Sequence, residues 1–231
     1  MPMAQEMNRF LMLPNADHIT VGAILELLPA INTWVVELLD AQQKLKNMSG
    51  GMLTPPTTIE EREEFSIRLM EVADLPQVTW TIDNDNGDIV VSADRDPVSV
   101  HVYHASTCNG KRRDFRFLNA EEPCECGAAV PGEDLCINRF IFFDAEELTE
   151  TSEGSRTWLA HKRAPVDNRW MAFFVDLQFN TTSSRSHERG WPFGQDAILE
   201  FTSLMSIIHR NGTEVYPYDD CVGDQCLGNI I

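Results

Sequence analysis

The sequence predicts an α+β chain: a strand–loop–helix segment followed by a small antiparallel β-sandwich. Three observations lead there. Apolar residues recur at helical spacing between Ile24 and Leu45. From Leu75 the period drops to two, with Val78, Trp80 and Ile82 alternating with Gln77, Thr79 and Thr81. Turn chemistry separates the strand-like runs, most strongly at Asp83-Asn-Asp-Asn-Gly-Asp88.

Residues 1–48 hold the strand, loop and helix. Phe10 to Leu13 reads as a short buried strand, stopped by Pro14 and Asn15. Asp17 and His18 fall in the following turn, where Asp17 suits a helix cap. Pro29 fits the first turn of a helix, so the main helix is expected to start near it. Its apolar stripe is Ile31, Trp34, Val35, Leu38 and Leu39. Such a stripe needs a sheet to cover, which one short strand cannot supply.

Residues 49–76 read as a linker and a charged helix. Ser49-Gly-Gly-Met-Leu-Thr-Pro-Pro-Thr-Thr58 has a turn-forming composition. Thr58 offers an N-cap, with Glu60 and Glu61 in the first turn of a helix reaching about Val72. Residues 77–210 carry the sandwich. Strands are expected at Val78–Ile82, Ile89–Ser92, Val98–Val102, Ile137–Phe143, Trp170–Phe179 and Ala197–Ile208, with a polar loop over 180–196. Residues 211–231 form a cysteine-containing tail.

The chain has 231 residues, 43% of them hydrophobic, which is a globular composition with room for a sizeable core. Its formal net charge of −18 argues against nucleic acid and anionic membrane surfaces, since both require a basic face. No apolar stretch reaches the length of a membrane span. The first seven residues lack the basic and apolar regions of a signal peptide. Yet glycan acceptors begin at Asn47, Asn180 and Asn211, and the six cysteines make an even number. Both features point to a secreted protein with disulfides. They agree with the missing signal peptide if the true N-terminus lies upstream of Met1.

Cys108, Cys124, Cys126 and Cys136 could form disulfides or hold zinc. The paired Cys-x-x-Cys spacing of structural zinc sites is absent, which favours disulfides. Cys221 and Cys226 are close enough for a local bridge. His101 and His104 are three apart, and on a strand that spacing sends the rings to opposite faces. No metal or other cofactor is expected. Arg112, Arg113, Asp114 and Arg116 form the most basic spot of an acidic chain and are expected to make intramolecular ion pairs. Trp80, Trp170, Phe173 and Phe174 read as core.

An ordered series of motifs runs through the chain. It comprises Leu13-Pro-Asn-Ala-Asp-His18, then Leu75-Pro-Gln-Val-Thr-Trp80, Arg112-Arg-Asp-Phe-Arg116 and Trp170-Met-Ala-Phe-Phe-Val175. The series resembles the C-terminal part of the PhoPQ-activated pathogenicity-related proteins, and is similar to the secreted autocrine proliferation repressors of social amoebae. The resemblance covers roughly residues 8–48 and 75–210. It implies that residues 1–48 are the C-terminal piece of an α/β-hydrolase-like domain, with the sandwich appended. It also implies a catalytic triad whose base is His18, acting on an acyl or peptide bond. In α/β-hydrolases the triad histidine comes last in chain order. The nucleophile elbow and the acid would lie upstream, and no Gly-x-Ser triplet occurs in these residues. The chain as given is therefore expected to be inactive by itself, its first partner being the N-terminal hydrolase core of the same polypeptide. The alternative expectation is a secreted, non-catalytic binding or signalling module whose sandwich meets a protein or receptor partner.

Overall fold

The computed structural model describes residues 24–50, 57–83, 85–110, 115, 118–119, 124, 127–132, 135–137, 143–163, 165–181 and 198–208. The expected strand at Phe10–Leu13, the Asp17 cap, most of the 180–196 loop and the tail lie outside these residues.

Two helices come first. Helix α1 (Ile24–Met48) begins before Pro29 rather than at it. Proline has no N–H for the carbonyl four residues back, so its place beyond the first turn removes one helical bond. Helix α2 (Ile59–Ala73) starts where the sequence places it. Thr58 accepts from the Glu61 N–H, and the Glu61 carboxylate accepts from the Thr58 N–H, which closes a capping box. The backbone N–H of Thr57 is the largest cause holding the Glu61 carboxyl below its ordinary range, followed by the Thr57 hydroxyl. The helix ends at Asp74, whose φ of 51° is left-handed. Arg95 fixes that end by donating to the Asp74 carbonyl and to its carboxylate, both at 3.0 Å.

The strands form two main antiparallel sheets. The first has the order β1-β2-β8, from β1 (Val78–Ile82), β2 (Ile89–Ala93) and β8 (Thr157–Ala160). The second has the order β10-β9-β3-β7, from β10 (Ile198–Thr202), β9 (Met171–Asn180), β3 (Ser99–Ser106) and β7 (Asp144–Glu147). Strand β11 (Ser206–Ile208) pairs with the first part of β9. A small third sheet has the order β4-β6-β5, from β4 (Leu118–Asn119), β5 (Ala128–Ala129) and β6 (Cys136–Ile137).

One apolar cluster joins the two main sheets. Val78, Ile89, Val91, Trp158 and Ala160 come from the first, and Val100, Val102, Phe173, Val175, Leu177, Phe179, Leu199 and Phe201 from the second. Their alternation along each strand is the period of two that the sequence displays. The helices belong to the same cluster: Ala41 of α1, Ala73 of α2 and the following Leu75 are buried in it. The architecture is therefore α+β, with mostly antiparallel sheets.

Other features also differ from the sequence expectation, among them β8, for which no strand was expected. The apolar run Ala197–Ile208 is two strands: the Ser203 N–H still donates to the Val175 carbonyl, but the Ser203 hydroxyl, not a backbone carbonyl, accepts the Val175 N–H. Of the expected strand Ile137–Phe143, Ile137 lies in β6, Phe143 in no strand, and residues 138–142 outside the described set. Strand β7 has no apolar alternation, and all four of its residues are exposed. Pairing with β3, in register His101 to Glu147, defines it.

Candidate functional site

Strand β9 organises the second sheet, with β3 on one side and β10 and β11 on the other. It is buried on both faces. Phe173, Val175 and Leu177 point into the sandwich at 0% exposure, while Ala172, Phe174 and Asp176 on the opposite face are 0%, 2% and 1% exposed. Phe174 stacks on Tyr103 at 5.4 Å and meets Phe143 at 5.7 Å. The aromatics Phe173 and Phe174 are thus core residues of two different layers.

The outer face of this sheet carries a polar row. Cα register places Glu147 of β7, His101 of β3, Asp176 of β9 and Thr202 of β10 side by side. Directly opposed residues share a face, so the imidazole stands between two carboxyl-bearing positions. Among the described residues, the buried Nδ1 of His101 has no hydrogen-bond partner.

A second polar group sits where the chain leaves β8. His161 bonds Asp88 through Nδ1 at 2.6 Å, and Arg163 Nε donates to His161 Nε2 at 3.2 Å. Arginine can only donate, so Nε2 carries the lone pair and Nδ1 the proton given to Asp88. The next residue, Lys162, donates to Glu146 of β7 at 2.5 Å, and His104 of β3 meets the same carboxylate at 2.7 Å. The ammonium of Lys162 is the largest influence holding the Glu146 carboxyl below its ordinary range; His104 adds to it. Consecutive residues therefore tie one sheet to itself and to the other.

This arrangement limits the chemistry. None of the three described histidines bonds a hydroxyl or a thiol, which a nucleophile–base pair requires. Both nitrogens of His161 are engaged. The hydroxyls of Ser203 and Ser206 donate instead to the carbonyls of Leu204 and Gly87. No group of three His, Cys, Asp or Glu side chains among the described residues could hold a metal ion. His101 and His104 face opposite sides of β3, as their spacing requires.

Cys124 is bonded to Cys136, across a sequence separation of 12. The bond anchors β6, where Cys136 is fully buried. Cys108 is also disulfide-bonded, and no described cysteine is free. Two of the four cysteines of the zinc alternative are thus bonded to each other. Cys126, Cys221 and Cys226 lie outside the described residues, as do His18, Arg112, Arg113, Asp114, Arg116 and Asn211. Asn47 and Asn180 are both exposed, the first in the last turn of α1 and the second at the end of β9.

The apolar stripe expected to cover a sheet is split: Trp34 and Leu38 pack on the core, and the other three of its residues do not. On α1, Ile31, Val35 and Leu39 are 45%, 47% and 48% exposed, while Thr33 and Glu37 are buried. Thr181 donates its hydroxyl to the buried Glu37. Among the described residues no helix is long and apolar enough to cross a membrane. No family model, curated protein or solved structure matches this chain.

Proposed function

We propose that the chain is the C-terminal portion of a PhoPQ-activated pathogenicity-related family protein. In the intact form an α/β-hydrolase-like domain hydrolyses an acyl or peptide bond, with His18 as the triad base. The nucleophile and acid are contributed from outside these residues, and the sandwich is a non-catalytic part of the molecule. One observation carries this reading: the motifs that resemble the family stand at the positions that build the sandwich. Leu75-Pro-Gln-Val-Thr-Trp80 leads into β1, and Trp170-Met-Ala-Phe-Phe-Val175 runs into β9, the strand buried on both faces.

A second reading for the described residues is a secreted binding or signalling module without catalysis, favoured because no described histidine bonds a hydroxyl or thiol. The oxidised cysteines fit the same compartment.

The deciding experiment weighs the native protein, isolated from its source with an antibody and deglycosylated, and treats it with a fluorophosphonate probe. A species well above 26.1 kDa that takes up the probe supports the hydrolase reading. A species at 26.1 kDa that stays unlabelled removes it and leaves the binding module.

A further inference from the structure

We propose that Asn47 carries an N-linked glycan. The proposal rests on the secreted reading above. Asn47-Met48-Ser49 is the acceptor whose three residues all lie among the described ones, and all three are exposed. Met48 beside it is 75% exposed. The chain then turns away at Gly50, whose φ of 70° is left-handed and which has no atom within 4 Å of where a Cβ would stand. Asn47, Met48, Ser49 and Gly50 are all exposed, so this end of α1 is open to a bulky group as far as the described residues reach.

The atoms of the side chain are placed for it. Gln43 Nε2 donates to Asn47 Oδ1 at 3.0 Å, which engages the oxygen of the amide and not its nitrogen. A glycosyl amide keeps Oδ1 as an acceptor and uses Nδ2, so the Gln43 contact survives the modification. The donor class is a lipid-diphosphate-linked oligosaccharide. Nδ2 bonds to C1 of the sugar, the C1–O bond to the diphosphate breaks, one amide proton is lost, and the lipid diphosphate leaves. In the folded chain the Ser49 hydroxyl donates to the Leu45 carbonyl at 2.8 Å, so transfer requires this last turn of α1 to be open.

The test uses native protein from its source. Peptide:N-glycanase in heavy-oxygen water converts a glycosylated Asn to a labelled Asp, which peptide mass mapping locates. Label at residue 47 is the expected result. An unlabelled Asn47 in a protein with the Cys124–Cys136 bond intact, or with label at Asn180 or Asn211, overturns the proposal and spares the secreted reading. Reduced cysteines with no label anywhere remove both. In a eukaryotic secretory host, Ser49→Ala should lose the mobility of one glycan with the fold unchanged. Unchanged mobility in both Ser49→Ala and Asn47→Gln would equally overturn it.

Discussion

The Trp34 ring lies 5.1 Å from that of Phe201, tilted by 59°, and this contact seats α1 against β10. Phe201 in turn meets Phe179 edge-on at 5.5 Å, so the helix reaches the sandwich core through a chain of aromatics. The helix whose apolar stripe requires a sheet has one.

Trp34→Ala is expected to destabilise the protein by about 3 kcal/mol, from lost burial and the cavity it leaves. Val35→Ala, on the exposed ridge beside it, should stay within about 0.5 kcal/mol. Urea midpoints of the two variants check this. Equal costs would mean that the Val35 ridge is covered as well.

Thr58→Ala opens the capping box and should cost about 1 kcal/mol. Leu69 and Val72 of α2 pack on the core, so the loss should appear in global unfolding and not only as fraying. Chemical denaturation followed by tryptophan fluorescence would show it; a change confined to helical circular dichroism would count against the packing.

The Glu146 carboxyl titrates below its ordinary value of about 4.5, chiefly because of Lys162. A depressed folded value contributes stability that is present above the unfolded value and is lost as pH falls through the folded one. Stability should therefore decline below pH 4.5 in the wild type, and Glu146→Gln should flatten part of that decline. Since Glu146 is half exposed, the difference is small and screened by salt. Thermal melts between pH 3 and 6 at low and high salt test it, and an unchanged acid limb in the variant would refute the assignment.

Cleaving Cys124–Cys136 with the double variant Cys124→Ser, Cys136→Ala should release the β4-β6-β5 sheet. Strands of two residues do not hold alone. For a loop of this size the cross-link contributes about 3 kcal/mol on the chain-entropy account. Amide exchange should speed up at 128–137 and leave β3 and β9 protected. Equal loss at β9 would show that the small sheet supports the large one.

Much of the fold was legible because its cause is local. The alternation at Val78, Trp80 and Ile82 faces one apolar layer, so periodicity reports it directly. The Thr58 cap follows from side-chain chemistry within one turn. The opposed directions of His101 and His104 follow from strand geometry alone. Strand β7 was not legible, since its four residues are exposed and show no apolar alternation, and pairing with β3 makes it a strand. Such charges on an edge strand also discourage pairing with other chains, which hides the strand pattern further. The Lys162–Glu146–His104 group escaped for another reason: its members come from β3, β7 and the segment after β8, and no spacing rule links them.

By itself the sequence determined the α+β class, the helix cap and the alternating core strands, because each depends on neighbours within a few residues. Tertiary structure alone decided which side of α1 is inside. Hydrophobicity places Ile31, Val35 and Leu39 in the same stripe as Trp34 and Leu38. In the fold the two groups part, and Glu37 is buried instead, with the Thr181 hydroxyl on its carboxylate. A helix pattern records how apolar a face is. Which face is covered depends on the elements that pack against it, here β10 and α2, and their position is fixed by contacts far apart in the chain.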